Sequence, residues 1–185
     1  VMDAGKRAAV IVSNMLSFSR KSNSGYIPED LSQLLDKTLE LAKSDYNLKK
    51  RFDFKRIEVT TRYDPETPRV MCKASEIQQV FFNILSNGAQ AMMSWEKMKK
   101  PYFELTIARE GSQVKIEIKD NGPGMKEDIK KRVFEPFFTT KGVGEGTGLG
   151  MAVSYFIVTE SHNGSIEVRS RPEKGTTFII HLPIE

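Results

Sequence analysis

Two pairs of neighbouring segments that alternate apolar and polar residues leave this chain few architectures. Residues 102–110 read YFELTIARE and residues 113–120 read QVKIEIKD, with only Gly111 and Ser112 between them. Apolar side chains at every second position are the mark of a strand with one buried face. A two-residue, glycine-containing connection closes such strands into a hairpin. GSIEVRSR (164–171) and GTTFIIHLP (175–183) repeat the pattern. Hairpins dominate and strict strand–helix–strand alternation is absent. This predicts an α+β fold with a mixed sheet and helices on one face.

The other elements follow from spacing. Residues 1–22 form a predicted helix whose Val1, Ala4, Ala8, Ile11, Met15 and Phe18 make a heptad seam. So short a seam needs a partner helix, which points to a helical bundle completed partly in trans. SNSGYIP (22–28) reads as a linker. Further helices are expected over about 30–47, 75–98, 127–133 and 150–160, and short strands over 57–63 and 69–72. With 39% apolar and 28% charged residues among 185, there is material for one sizeable core. One cysteine, Cys72, excludes an internal disulfide and suits a reducing, cytoplasmic compartment. No apolar run reaches the roughly 18 residues of a membrane span, and no signal peptide is evident. No membrane contact is expected of this chain, which starts at a valine and is read as a piece of a longer protein. The net charge of +4 centres on KKRFDFKR (49–56). Without a nucleic-acid motif beside it, that run reads as a solvated face, and no nucleic acid is expected as partner.

Three stretches carry chemistry. In QQVFFNILSNGAQAM (78–92), Asn83 and Asn87 stand four apart and share a helical stripe bordering the apolar face. They are either solvated amides or oxygen donors turned into a cleft, where an amide oxygen suits magnesium. In KDNGPGMK (119–126), Asp120 ends a strand before a glycine-rich break. The break is explained by turn formation, yet a carboxylate there could also accept a hydrogen bond from a nucleobase amine. GVGEGTGLGM (142–151) is half glycine and opens into a helix. It lacks the Lys and Ser or Thr of a P-loop, and it fails GxGxxG at the last glycine from every start. Its amides and the helix dipole still suit an anion, and alternating glycine suits a lid. FEPFFTTK (134–141) just upstream holds Phe134, Phe137 and Phe138, expected to anchor that lid.

In order and spacing these stretches resemble the ATP-binding domain of sensor histidine kinases, in the superfamily shared with gyrase, a heat-shock chaperone and mismatch-repair proteins. NILSNGAQA resembles the N box, DNGPG the first glycine box, FEPFFTTK the F box, GTGLGM the second glycine box and GTTFIIHLP the closing strand motif. RAAVIVSNMLSFSRKS resembles the second helix of the family's dimerisation and phosphoacceptor domain. The resemblance implies that 1–24 is that helix, and that 25–185 is the ATP-binding catalytic domain, a two-layer α/β sandwich with a mixed, mostly antiparallel sheet.

It also implies roles. Asn87 is the magnesium ligand, and Asn83 stands where the superfamily's ATPases usually carry glutamate. Asp120 reads adenine, Gly122 and Gly124 let the base approach, and Thr177 assists Asp120 through water. Met125 and Thr140 line the nucleotide. Lys141 and the loop Gly146, Thr147, Gly148, Leu149 and Gly150 face the triphosphate, with Leu149 and Met151 pinning the new helix to the core. The cofactors implied are ATP and Mg²⁺, with Asn83 and Lys141 as catalytic residues. The partners implied are an upstream acceptor-histidine helix, a response-regulator receiver domain and a second copy in a full-length homodimer. Of the two histidines, neither His162 nor His181 sits on a helix before an acidic residue, so both read as structural. Gly88 departs from the family's usual alanine. The rival functions are an ATP-hydrolysing machine and a nucleotide-binding module without turnover. An amide at Asn83 argues against the first, because it is no general base.

Overall fold

The computed structural model describes residues 25–44, 54–142 and 146–184. The seam helix of 1–22 and residues 49–53 of the basic run lie outside the described residues. Strand β1 (Ile27–Glu29) leads into α1 (Leu31–Ser44), and a short 3-10 turn (Phe54–Arg56) precedes β2 (Glu58–Tyr63) and β3 (Val70–Cys72). Then come α2 (Ala74–Met93), the hairpin β4 (Tyr102–Glu110) and β5 (Gln113–Asp120), and α3 (Glu127–Arg132). Helix α4 (Gly150–Phe156) continues as a π turn (Ile157–Ser161) into the hairpin β6 (Ser165–Ser170) and β7 (Thr176–Pro183).

The main sheet runs β2-β4-β5-β7-β6. Only β2 and β4 are parallel; every other pair is antiparallel. Registers bring like with like. Leu105 faces Ile118, Ile107 faces Ile116, and across the next ladder Ile118 faces Phe178 and Ile116 faces Ile180. These side chains point to one face and are buried there against α2. On α2 the stripe Ile77, Val80, Phe81, Ile84, Leu85, Ala89 and Met92 meets them, and Leu31, Leu34, Leu35 and Leu39 of α1 extend the core. Each such side chain, fully buried, contributes roughly 1.5–3 kcal/mol. The opposite face is polar and laced with ion pairs, Lys119 to Glu104 at 3.0 Å and Lys115 to Glu117 at 3.1 Å. No described helix is long and apolar enough to cross a membrane.

Two expected boundaries move. The linker expected over 22–28 ends in a strand, because Ile27–Glu29 pairs antiparallel with Val70–Cys72. Helix α2 stops at Met93 rather than near 98. Beyond it the Trp95 amide bonds back three residues to the Met92 carbonyl and Met98 does the same to Trp95, so the chain winds into turns.

The alternation that builds β5 also builds the site. Residues 114, 116 and 118 face the core, so residue 120 must as well, and residue 120 is an aspartate. Directly across, Phe103 pairs with it. The Phe103 ring fills the space beside α2 where a methyl at Gly88 would lie, only 2.8 Å and 2.9 Å from two ring carbons. That crowding explains why glycine stands where the family usually has alanine. Gly88→Ala ought to gain about 1 kcal/mol of helix propensity, yet overpacking of about 1–3 kcal/mol is expected to outweigh it. Urea unfolding of Gly88→Ala should show a lower midpoint than wild type, and the effect of Gly88→Ala should be smaller or reversed when it is measured in a Phe103→Leu background.

Candidate functional site

Asp120 closes β5 with its carboxylate almost fully buried. One oxygen is built into the fold: Oδ1 accepts from the Gly122 amide at 2.8 Å and the Thr176 amide at 3.2 Å. Oδ2 takes part in neither bond and lies beside Gly88 of α2. Burial pushes the carboxyl up to about 6, against the pull of the two amides, which favour the anion. Met92 and Gly122 lie side by side here, and a methyl on Gly122 would meet Met92 Cγ at 3.3 Å and Asp120 Oδ1 at 2.9 Å. The result is an acceptor oxygen, Oδ2, between the face of α2 that carries Gly88 and Met92 and the backbone at Gly122.

Thr177 is not the neighbour of Asp120. Asp120 pairs with Thr176, while Thr177 pairs with Lys119. A shift of one residue along a strand reverses the face. Thr177 therefore lines the groove on the polar face, with Glu104, Thr106 and Lys119. The help to Asp120 comes from the Thr176 backbone, not from a Thr177 hydroxyl. The role expected of Gly124 also changes. Its φ of +65° suits glycine, and a methyl there would sit 2.0 Å from the Arg171 carbonyl oxygen. Its bareness makes room for the β6–β7 turn, while Gly122 is the glycine at Asp120. The Met125 amide is likewise spent on the fold, donating to Ser170 Oγ at 2.8 Å.

Asn83 and Asn87 share the edge of α2, as expected, but differ in employment. Asn83 Nδ2 donates to the Gly150 carbonyl at 3.0 Å and to Ser154 Oγ at 3.2 Å. Ser154, fully buried, bonds the same Gly150 carbonyl at 2.9 Å. Asn83 thus brackets α2 to the start of α4, and Ser154 is a partner that sequence reading missed. Asn87 faces a cation: its Oδ1 accepts from Lys141 Nζ at 2.9 Å. The same ammonium donates to Gln90 Oε1 at 2.7 Å. Gln90 also went unrecognised in the sequence, although it lies on the Asn87 stripe at the i, i+3 spacing.

The F box is a turn structure joined backbone to backbone with the second glycine box. The Phe137 amide donates to the Gly148 carbonyl at 2.9 Å. Gly148 has φ +66°, and a methyl there would meet Phe137 backbone at 2.5–2.8 Å. The close approach expected between Gly148 and phosphate is thus an approach to Phe137. Among the three phenylalanines, Phe134 packs on Phe178 and Tyr155. Phe138 lies under the Arg132 guanidinium at 4.3 Å. Phe137, expected to anchor, is 65% exposed and has a left-handed φ of 66°. Thr139 Oγ1 accepts from the Lys141 amide, and Gly146 lies against the Lys141 stem and Thr139. Thr140 and Thr147 are exposed. Thr147 Oγ1 accepts from the Leu149 amide. Met151 is buried and pins α4, whereas Leu149 is only half-buried. Residues 143–145 of the loop lie outside the described residues.

Both histidines are engaged in the fold. His162 is buried, with Nδ1 donating to the Ile157 carbonyl and Nε2 accepting from the Lys73 amide. His181 meets Glu110 at 3.0 Å.

With this geometry in place the comparisons are specific. The family described as "Histidine kinase-, DNA gyrase B-, and HSP90-like ATPase" matches residues 72–185. The chain belongs to that family, whose members are ATP-binding. It is 34% identical to sporulation kinase E of Bacillus subtilis over 179 residues, 97% of this chain and 22% of that protein. It is also 34% identical to the signal transduction histidine-protein kinase AtoS of Escherichia coli, over 94% of this chain and 26% of that protein. It therefore spans about a quarter of the length of these relatives. Among solved structures, the nucleotide-free catalytic domain of the histidine kinase ThkA superposes with a TM-score of 0.71 at 26% identity, over 87% of this chain and 97% of that one.

Because the folded pKa of Asp120 lies above its usual value, ionising it in the fold is costly. Its destabilising effect is absent below about pH 4, grows as pH rises towards about 6, and is complete above that. Asn in its place keeps an oxygen for both amides. Asp120→Asn should therefore be more stable than wild type at about pH 7.5, by on the order of 2–3 kcal/mol. The difference should vanish near pH 4 when urea unfolding is repeated there.

Proposed function

We propose that this chain is the catalytic domain of a two-component sensor histidine kinase. In this proposal it binds Mg–ATP and delivers the γ-phosphoryl group to a histidine outside the chain, for relay to a response-regulator aspartate. The observation that carries the proposal is the division of labour within Asp120. Oδ1 is held by two backbone amides, and Oδ2 would accept from the adenine amine. Gly122 would let the base lie close. Asn87 Oδ1 would hold Mg²⁺, and the donor set fits: it is a hard, neutral oxygen in a position that already takes a cation, the Lys141 ammonium. Asn87 would hold the metal there, whose chemical contribution would be positive charge offsetting the negative charge of the phosphates.

Phosphoryl transfer asks a protein chiefly for positioning and charge neutralisation. Lys141 would supply positive charge, and the backbone from Gly146 to Gly150 would face the triphosphate. Asn83 would not act as a base. Its amide group is committed to Gly150 and Ser154, so it sets the distance between α2 and the second glycine box. That absence of a base at the first N-box position favours transfer to a histidine over attack by water. His162 and His181, both engaged in the fold, are set aside as acceptors. The relatives agree in kind: they are named as kinases, one ThkA structure is a complex with the response regulator TrrA, and a ShkA structure holds AMPPNP. We place the domain in the cytoplasm, where ATP is available, and within a full-length homodimer.

The test uses γ-labelled ATP, this chain and a separately produced acceptor-helix domain. Label on the acceptor histidine is the expected result; free phosphate alone indicates an ATPase, and binding without product indicates a passive module. Asn87→Ala removes a charge-assisted contact worth about 1.5–3 kcal/mol. It should lower transfer roughly 10–100-fold while the chain keeps a single cooperative melting transition.

A further inference from the structure

Ser170 ends β6 opposite Thr176, and its hydroxyl makes three hydrogen bonds. It donates to the Gly175 carbonyl at 2.9 Å, accepts from the Met125 amide at 2.8 Å and meets Thr176 Oγ1 at 3.0 Å. A serine hydroxyl has one proton and two lone pairs. The Gly175 carbonyl can only accept, and the Met125 amide can only donate. Thr176 Oγ1 is therefore the donor in the third bond, and the capacity of the Ser170 hydroxyl is filled.

Each of the three partners bears on Asp120. Thr176 is the residue whose amide holds Asp120 Oδ1 at 3.2 Å. Gly175 is pressed against the Asp120 main chain: a methyl on it would lie 2.0 Å from the Asp120 carbonyl oxygen. Met125 closes the stretch 120–125, whose middle is held by the Glu173 amide on the Pro123 carbonyl at 2.7 Å. The glycine-rich break after β5 is thus laid on the β6–β7 turn, and the Ser170 side chain bonds to both. Without its hydroxyl an amide, a carbonyl and a second hydroxyl lose a partner together. A hydrogen bond weakens steeply when its angle is wrong, so the use of Oδ2 depends on how firmly Oδ1 is held. We infer that Ser170 is a positioning residue for base recognition: by holding Met125, Gly175 and Thr176 on one oxygen, it fixes the direction of Asp120 Oδ2. With all three bonds made inside the fold, its hydroxyl acts through Asp120 rather than on the nucleotide. The inference rests on the reading of Oδ2 as the acceptor for the adenine amine.

Two nucleotides test this: ATP, and purine riboside triphosphate, which is ATP without the exocyclic amine. Isothermal titration of the 185-residue chain in Mg²⁺ should show that wild type prefers ATP. Ser170→Ala should weaken ATP binding about fivefold, the factor for roughly 1 kcal/mol of a single hydrogen bond. It should leave binding of the amine-free nucleotide within a factor of about two. Ser170→Thr keeps the hydroxyl and should restore the wild-type preference. Each variant is titrated well below its own melting temperature, so that a loss of stability alone lowers no affinity. Ser170→Cys, a weak hydrogen bonder, replaces the alanine variant should that one unfold. An unchanged preference in Ser170→Ala, or equal weakening of both nucleotides, overturns the inference and leaves Ser170 a structural residue. A threonine variant that behaves like alanine overturns it too. A wild type that binds both nucleotides equally, or neither, overturns the reading of Oδ2 itself, and this inference with it.

Discussion

Everything in the site depends on one carboxylate placed where a hydrophobic residue belongs. Strand alternation carries Asp120 onto the core face behind Val114, Ile116 and Ile118. Burying an anion there is costly, and the elevated carboxyl pKa of about 6 is the measure of that cost. The fold offsets part of it with two backbone amides on one oxygen, from Gly122 and Thr176. The other oxygen keeps its acceptor capacity, in a low-dielectric pocket where a hydrogen bond discriminates strongly between a donor and none. A residue that weakens the fold is thereby the residue proposed to select the ligand.

Around this carboxylate, close backbone approaches hold separate segments at fixed distances. Gly148 lies against Phe137, and Gly124 against Arg171. Asn83 ties α2 to Gly150 through a carbonyl that Ser154 also holds. The N box, F box and second glycine box are thus joined by hydrogen bonds as well as by the core that Ile84, Leu85 and Met151 share and Phe134 packs against. Polar joints of this kind are individually weak and directional. They fix the geometry around Gly148 and Gly150, while Phe103, Met92 and Gly88 fix it around Asp120.

Much of this was legible in the sequence, and the parts that were not share a physical reason. The strands, hairpins and helices follow from apolar period, because one buried face repeats its demand at every second or fourth residue. Asp120, Asn83 and Asn87 stand out as polar residues inside such patterns. Thr177 takes the place of Thr176 in a reading by motif because a motif names a stretch of strand, while the face is set by pairing with Lys119 and Asp120. Gly124 and Gly148 read as ligand contacts because glycine signals close approach without saying to what. Gln90 and Ser154 escape notice because nothing local distinguishes them; Lys141, 51 residues from Gln90, gives it meaning only in three dimensions. Phe137 is expected inside on hydrophobicity alone, and its left-handed backbone turns it out.

The central claim is that Asp120 divides its two oxygens between fold and ligand. A crystal structure of the chain with Mg²⁺ and a non-hydrolysable ATP analogue tests it most directly. The account predicts the adenine amine within about 2.7–3.2 Å of Oδ2, with Oδ1 still on the Gly122 and Thr176 amides. An analogue bound with its base elsewhere, or an Asp120 that turns both oxygens to the protein, would contradict it.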